Sequence, residues 1–366
     1  MARNIIKSFN AIVAAQDATV AFSTANQGLK LHKITQGLDY SIEYPRQPLK
    51  QIGSQDLSSN NLYRFPDVNL NITYMPEPSF SNEVQGRFID SKPVGGPFKN
   101  FFDPSDTNDS TNFYALITKN AEDSFLNKLS FGSSLNLNGD EAIAFGNCFP
   151  SSYSLNYSIG NLPTVSTSYV CSNAVFANLT ATSMQMPAIN LTGGNNNGVG
   201  NCLFEFGLDL SSATLEKKPP LVNPDNTNSD VTLQNLQVGG QPISGEHLVQ
   251  SVEMNVSMPR VSSYGFGNDY AYNRKRQFPA DGSFSVSSLV SGLDSGGMTG
   301  VFISDQDYQF ELKLEASGKQ MIYKIQDAKL DSYNYNMSVN GTMSYNAQFS
   351  FKVTQSRGLQ VSGTNY

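Results

Sequence analysis

The chain has 366 residues, with 24 Lys and Arg against 31 Asp and Glu, which gives a formal net charge of −7. Only 15% of the residues are charged and 39% are hydrophobic, while 29 Gly and 17 Pro make the sequence rich in turns. An acidic chain with few cations lacks the charge that drives nucleic-acid affinity, so a protein that grips DNA is disfavoured. The length suffices for two ordinary domains, and the composition is not that of a disordered chain.

Residues 1–30 are predicted to form an N-terminal arm. The apolar run at 11–15 is too short for the hydrophobic region of a secretion signal. No window in the chain approaches the roughly 18–20 apolar residues that a membrane-spanning helix needs. The three cysteines lack metal-site spacing and are predicted to be buried thiols, namely Cys148, Cys171 and Cys202.

Alternation of apolar and polar residues predicts a first β domain at residues 31–190. A period of two is typical of antiparallel strands with one buried face and one polar face. Alternating runs occupy 38–44 and 68–74. A second pair of runs, at 152–159 and 165–171, is separated by a short turn and indicates a hairpin. These strands predict a sandwich or a barrel-like sheet.

Residues 191–244 are predicted to be a linker with a possible extra strand. The sequences GGNNNG at 193–198 and KKPP at 217–220 have the composition of loops and linkers. The alternating run at 204–210 predicts the extra strand.

The remainder of the chain repeats the pattern of the first domain. The segment VEMNVSMPR at 252–260 matches LDYSIEYPR at 38–46, 214 residues earlier, and the hairpin at 332–351 matches the earlier hairpin at an offset of 180. Two matched elements in the same order predict a tandem duplication. The second β domain is placed at 245–358, with a C-terminal tail at 359–366. The predicted fold is therefore mainly β, with two tandem-duplicated antiparallel β-sandwich or barrel-like domains, each with at most a short helix.

The sequence lacks a signature for catalysis, a metal or a cofactor. His32 and His247 stand in neither an HExxH nor an HxH arrangement, which argues against a zinc site. The run LDSGG at 293–297 is similar to a chymotrypsin-type nucleophile loop, but Ser295 lacks the histidine context of that family, so a loop is predicted. No spacing singles out a glycosidase pair of carboxylates. We expect no catalytic residue, no metal site and no cofactor.

A short basic cluster, Arg274, Lys275 and Arg276, lies just before the Phe278-Pro279 step. We interpret it as a solvated turn or as a contact to an acidic neighbouring subunit, and not as a nucleic-acid site.

Several runs resemble the major tail tube proteins of long-tailed bacteriophages. They are YSIEYPRQPLKQIGS (40–54), FPDVNL (65–70), CFPSSYSL (148–155) and GNLPTVS (160–166). The resemblance covers most of 30–180 and, more weakly, 248–356, and it is a pattern of strands and turns without a catalytic signature.

This resemblance implies a structural virion protein with tail-tube domains of the duplicated type. Such subunits form rings that stack head to tail into a tube, and genomic DNA passes through the lumen during ejection. A duplicated chain would need three copies for a pseudo-hexameric ring. The implied partners are further copies of the chain and other phage tail proteins, with transient passage of DNA, in a virion assembled in the host cytoplasm.

The polar faces of the predicted strands fit such a conduit. They carry amides, hydroxyls and carboxylates, whereas a lining of Lys or Arg would hold the phosphates of a moving duplex. The candidate lumen-facing residues are Asp39, Ser41, Glu43, Asn69, Asn71, Glu253, Asn255 and Ser257. We also expect exposed sheet edges to pair between chains and to close the ring.

Two alternatives to the tube subunit stay open. A different β-rich virion component, such as a distal tail or head-tail connector protein, would share the fold. A carbohydrate-binding adhesin would use aromatic platforms, although the chain has 17 Tyr and no Trp. Filament formation separates the tube subunit from the connector, and glycan binding would support the adhesin.

Overall fold

The fold is given by a computed structural model. The structure describes residues 8–15, 29–32, 35–50, 52, 57–62, 67–76, 88–89, 92–93, 101, 111–118, 141–159, 161, 163–178, 186–187, 201–202, 230–238, 241–242, 248–263, 273–289, 307–316, 319–337, 342–354 and 357–363. Within these ranges no helix is long and apolar enough to cross a membrane.

The described residues of the first half form strands β1 to β14. They are β1 (Ser8–Ala15), β2 (Leu29–His32), β3 (Thr35–Glu43), β4 (Arg46–Lys50), β5 (Leu57–Leu62), β6 (Asp67–Tyr74), β7 (Phe88–Ile89), β8 (Lys92–Pro93), β9 (Thr111–Thr118), β10 (Glu141–Ser158), β11 (Thr164–Cys171), β12 (Asn173–Asn178), β13 (Met186–Pro187) and β14 (Asn201–Cys202).

The described residues of the second half form strands β15 to β24. They are β15 (Asp230–Val238), β16 (Gln241–Pro242), β17 (Leu248–Ser257), β18 (Arg260–Ser263), β19 (Asn273–Arg276), β20 (Ala280–Leu289), β21 (Tyr308–Ala316), β22 (Lys319–Asn336), β23 (Ser344–Val353) and β24 (Leu359–Gly363).

One antiparallel sheet of 16 strands dominates the molecule. Its central path runs β16-β15-β21-β22-β23-β20-β17-β10-β11-β6-β3, and strands β1, β2, β9, β12 and β24 pair beside this path. The prediction of a mainly β fold is confirmed. Strands also form where the sequence predicted an arm, a linker and a tail, because β1 pairs with β9, β15 with β21, and β24 with β22. The domain boundaries themselves stay predictions, and the run at 204–210 lies outside the described residues.

The alternating run at 68–74 forms a strand with one buried face, as predicted. In β6 the apolar side chains of Val68, Leu70, Ile72 and Tyr74 are buried, and the polar residues between them are half-buried. The same alternation holds along β11, β20 and β23. Because side chains of a strand point alternately to its two faces, this pattern fixes which face packs on the core.

One strand order occurs twice along the central path. We call β3, β6, β10 and β11 the first set, and β17, β20, β22 and β23 the second set. The first set is ordered β10-β11-β6-β3, and the second set is ordered β22-β23-β20-β17. If the four strands of each set are numbered by their order in the sequence, the spatial order in both sets is third, fourth, second, first. The two sets are joined where β17 pairs with β10.

Irregularities of the strands recur at matching positions. Asn147 in β10 and Asp327 in β22 are 180 residues apart, and both have left-handed backbones with φ of 47° and 55°. Both lie where the pairing with the preceding strand shifts by one residue. Asn and Asp tolerate this conformation better than other non-glycine residues, and one type of bulge places a residue in it. The later register shifts, at Ser151 and Asp331, are also 180 apart.

Aromatic side chains fill the core beneath the second set. The ring of Phe310 lies 4.5 Å from that of Phe349 and 5.0 Å from that of Phe284, measured between centroids. Beneath the first set, the rings of Phe113 and Tyr169 meet edge to face at 4.8 Å. Rings at these distances and tilts add about 0.5–1.5 kcal/mol per pair to the free energy of burial.

Two of the cysteines are buried free thiols, as predicted. Cys148 and Cys171 lie on the neighbouring strands β10 and β11 and are shielded from solvent. Burial, reinforced by the hydrogen bond with the Cys171 thiol, raises the pKa of Cys148 well above its usual range. The Cys148 thiol is therefore protonated and unreactive at neutral pH. The side chain of Cys202 lies outside the described residues.

One pair of facing core residues divides a similar total volume differently in the two halves. On the core side of β6 and β11, Val68 lies opposite Cys171. At the matching place of β20 and β23, Gly282 lies opposite Phe351. A Cβ atom at Gly282 would stand 2.3 Å from the Phe351 ring. The small residue is therefore required by the large neighbour, and the total volume of the pair is kept within a close-packed core.

Candidate functional site

The predicted lumen-facing residues all lie on one face of the main sheet. In the first set, Asp39 lies opposite Asn71, and Ser41 lies opposite Asn69. Residues 253, 255 and 257 of β17 lie opposite serines and an asparagine of β10 and carry the same face across the join of the two sets. The residues of β3 and β6 are thus adjacent, whereas those of β17 are separated from them by β10 and β11. We call this surface the polar face; its exposure to a lumen stays a prediction.

Hydrogen bonds between neighbouring strands hold the side chains of the polar face. The hydroxyls of Ser166 and Ser168 donate to Oδ1 of Asn71 over 2.9 and 3.3 Å. The hydroxyl of Ser332 donates to Oε1 of Gln348 over 3.2 Å. Cross-strand pairs of this kind each stabilise a sheet modestly, by about 0.2–1 kcal/mol. The face is therefore an ordered layer of amides and hydroxyls, whose own polar groups satisfy one another.

Two lysines of the polar face, Lys329 and Lys352, are paired with aspartates. Nζ of Lys329 lies 3.1 Å from Oδ1 of Asp307, and Lys352 forms an ion pair with Asp281. Exposed ion pairs contribute little to stability, so their effect here is on charge. With both lysines compensated, Asp39, Glu43 and Glu253 leave the face neutral to acidic.

The join of β10 and β17, which we call the internal junction, is a continuous ladder. Its register pairs Tyr153 with Val256, and Leu155 with Met254, and these four side chains are buried. Backbone hydrogen bonds extend the ladder at both ends, from Met258 N to Ser151 O and from Ile159 N to Gln250 O. The internal junction thus joins the two sets by both main-chain pairing and apolar packing.

Two strand edges that match the two sides of the internal junction form no ladder with another described strand. One is the outer edge of β3, and the other is the edge of β22 at 330–336, where β23 pairs on the opposite side. We call them the free edges. Tyr40 and Tyr333 on these edges are 41% and 42% exposed, and Met337 beside the second edge is 70% exposed. Exposed apolar groups on unpaired edges are typical of a surface that binds another strand.

The exposed residues of the free edges correspond to buried residues of the internal junction. Tyr40 matches Met254 at the offset of 214, and Tyr333 matches Tyr153 at the offset of 180; Met254 and Tyr153 are both 0% exposed. The sequence predicts open edges but does not by itself show which side chains lie on them. The offsets of 214 and 180 are the signal that pairs these residues with their buried counterparts.

The basic cluster differs from its prediction at Arg274. This residue lies in strand β19, its guanidinium carbon stands 5.0 Å from the centre of the Phe149 ring, and Nη1 donates to the Val170 carbonyl over 3.1 Å. Arg260 stacks on the same ring at 5.0 Å. The face of an aromatic ring attracts a partly desolvated cation, so Arg274 holds the hairpin β18–β19 against the first half. Lys275, in contrast, is exposed.

The residues weighed for catalysis do not form a described site. His32 is the last residue of β2, opposite Ile12, whereas His247 and Ser295 lie outside the described residues. The expectation that the protein is not an enzyme stays a prediction.

The chain was compared with known families and structures. No family model matches, and no curated protein matches. Among solved structures, one similar chain is from the tail of an empty GTA particle, a structure obtained by helical refinement with C6 symmetry. The two chains are 17% identical, the match covers 39% of this chain and 99% of the other, and the TM-score is 0.25.

Proposed function

We propose that this chain is a structural virion protein, the major tail tube subunit of a long-tailed bacteriophage. Three copies close a pseudo-hexameric ring, the rings stack head to tail, and DNA passes through the lumen during ejection. The observation that carries this proposal is the internal junction, because two edges of the same kinds as those paired there have no partner strand among the described residues. A heterologous contact that repeats with rotation generates a ring.

Repetition within the chain supports reading the two sets as tandem copies. The strand order, the core-facing positions and the bulges at Asn147 and Asp327 all recur at fixed offsets. A bulge changes the local twist of a strand, so its repetition gives both copies a similar curvature. Two similar copies joined in the chain therefore supply a model for the contact between chains.

The internal junction predicts the register of that contact. Applying the offsets of 180 and 214 to the register of β10 and β17 places Tyr333 of one chain opposite Ile42 of the next. Asn334 then lies opposite Ser41, and Tyr335 opposite Tyr40. Polar residues meet polar ones and apolar residues meet apolar ones, as the pleat requires. The contact continues the polar face from one chain to the next.

Charge supports the polar face as the lining of the lumen. Its lysines Lys329 and Lys352 are paired with Asp307 and Asp281, and Asp39, Glu43 and Glu253 add negative charge. Affinity for DNA grows with each phosphate that a cation neutralises, so a compensated face lets the duplex slide. On this proposal the protein needs no cofactor and no catalytic step; its partners are its own copies and other tail proteins, in a virion assembled in the host cytoplasm.

The register between chains is tested by a designed disulfide. Ser41→Cys combined with Asn334→Cys should cross-link chains under oxidising conditions, because directly opposite strand residues have Cα atoms about 4.5–5.5 Å apart. Denaturing electrophoresis without reductant should show linked trimers, and electron microscopy should show rings or hollow tubes.

The matched control is Ser41→Cys with Asn336→Cys, which is a diagonal pair about 7–8 Å apart and too far for a disulfide. Cross-linking of both pairs alike, or of neither, contradicts the register. Single rings that never stack favour a connector, and particles that remain single chains at every concentration contradict the tube.

Neutralising the carboxylate beside Lys352 should increase DNA binding by assembled tubes. Asp281→Asn leaves that lysine uncompensated on the polar face, and each additional phosphate contact steepens the dependence of log affinity on log salt by about 0.9. The free energy of unfolding should change by less than about 1 kcal/mol, since both partners are exposed. Salt titrations of a fluorescent duplex with tubes measure this. Asp281→Asn with Lys352→Gln should restore wild-type binding, and an unchanged salt slope in the single variant contradicts the prediction.

A further inference from the structure

We propose that the internal junction is fastened by a tyrosine hydrogen bond that the contact between chains lacks, because Tyr333 meets the partner's Ile143 instead of a second tyrosine. The inference rests on the proposed function, since it concerns the junction by which copies of this chain close a ring. It names the residue pair that distinguishes the two kinds of junction.

The hydrogen bond at the internal junction is buried and spans the two halves. The hydroxyl oxygens of Tyr153 and Tyr323 lie 2.7 Å apart, and both side chains are 0% exposed. Tyr153 belongs to β10, at the ladder with β17. Tyr323 belongs to the first part of β22, which pairs with β21 and β24. The bond therefore ties the first half to strands of the second half that lie outside the ladder.

The equivalent places at the contact between chains hold a different pair. At the offset of 180, Tyr153 corresponds to Tyr333, and Tyr323 corresponds to Ile143. The pairing of β9 with β10 supports the second equivalence: Ile143 lies opposite Ala115 as Tyr323 lies opposite Leu312. The repeated bulges at Asn147 and Asp327 keep this part of the two strands in step.

Because isoleucine stands at the position equivalent to Tyr323, the contact between chains is weaker than the internal junction. The side chain of the partner's Ile143 can bury the ring of Tyr333, which is 42% exposed in the single chain, but that side chain has no atom that accepts or donates a hydrogen bond. A buried hydroxyl pair therefore exists inside each chain and not between chains. Rings accordingly come apart between chains, and the two halves of one chain stay together.

The experiment builds the missing hydrogen bond. Ile143→Tyr should slow the exchange of chains between labelled and unlabelled assemblies about fivefold per junction, the usual effect of one net hydrogen bond. Adding Tyr333→Phe should abolish that gain, because it removes the other hydroxyl. Ile143→Phe is the matched control, which supplies the ring alone, and its exchange should not respond to Tyr333→Phe. Native mass spectrometry of mixed assemblies measures the exchange.

A second pair of variants covers an Ile143→Tyr chain that does not fold. Tyr153→Phe should lower the urea midpoint of unfolding, since it removes the buried hydrogen bond between Tyr153 and Tyr323, whereas Tyr333→Phe should leave chain exchange unchanged within about twofold.

The inference is overturned if Ile143→Tyr slows exchange equally with and without Tyr333→Phe, or not at all. It is also overturned if Tyr333→Phe alone accelerates exchange severalfold. Wild-type protein that forms no ring overturns the proposed function and this inference with it, whereas rings that do not respond as described overturn the inference alone.

Discussion

Replacing Tyr333 by Glu should abolish ring and tube formation while leaving the single chain folded. In the single chain this side chain is 42% exposed, so a carboxylate there stays in water. In the closed ring the same carboxylate would be buried beside Ile42 of the next chain. An unpaired buried carboxylate costs about 3 kcal/mol or more, which raises the concentration needed for assembly at least about 100-fold. Sedimentation velocity and negative-stain microscopy measure the assembly.

The control for this variant is Tyr333→Phe, which keeps the ring and its apolar area and should assemble like the wild type. Circular dichroism and urea unfolding of the Glu variant should match the wild type within about 1 kcal/mol, because Tyr333 is exposed and its ring contact with Tyr335, 5.9 Å between centroids, is worth only about 1 kcal/mol. Assembly of the Tyr333→Glu variant at wild-type concentrations would show that this edge does not close the ring.

Exchanging the facing pair Gly282 and Phe351 for the pair of the first half should reveal strong coupling. Gly282→Val alone should destabilise the chain by about 1–3 kcal/mol or more, since its side chain would enter the space of the Phe351 ring. Phe351→Cys alone should cost about 3 kcal/mol, because it leaves a cavity in the core. The double variant recreates the pair formed by Val68 and Cys171 and should be close to the wild type.

Urea unfolding of the four chains gives the coupling energy of this cycle, which should be about 2 kcal/mol or more in favour of the double variant. Ser285→Ala on the polar face is the control for a substitution in the same strand, and it should change stability by less than about 0.5 kcal/mol. Additive losses in the double variant would contradict the equivalence of the two places.

Strands with one buried face were predictable from the sequence. Along β6 and β23 the side chains alternate between core and solvent, so the period of two is written in the residue types. The offsets of 214 and 180 were found from such runs, and the structure repeats the strand order at those offsets. The eight polar residues share one face for the same reason, because alternation within each strand assigns them to the side away from the core.

Strands covered on both faces were missed. The part of β10 from Ile143 to Pro150 is buried at every position, so it has no alternation to detect.

Other features depend on pairing between residues far apart in the chain. Strand β15 lies in a segment predicted to be mainly linker, and its place is set by pairing with β21, which is far along the chain. The ion pair of Lys352 with Asp281 and the docking of Arg274 on Phe149 also join residues distant in sequence.

The β class, the positions of the half-buried strands and the neutral to acidic residue types of the polar face are predictable from the sequence, because side-chain alternation and residue type are read within a few residues. The repetition of the pattern is also visible there, as matching runs at fixed offsets. Only the folded chain shows that β10 pairs with β17, that Tyr153 bonds to Tyr323, and which two edges have no partner strand among the described residues. Pairing between strands depends on contacts between residues far apart in the chain. Met254 is buried because β17 pairs with β10, whereas its counterpart Tyr40 lies on the outer edge of β3 and is exposed.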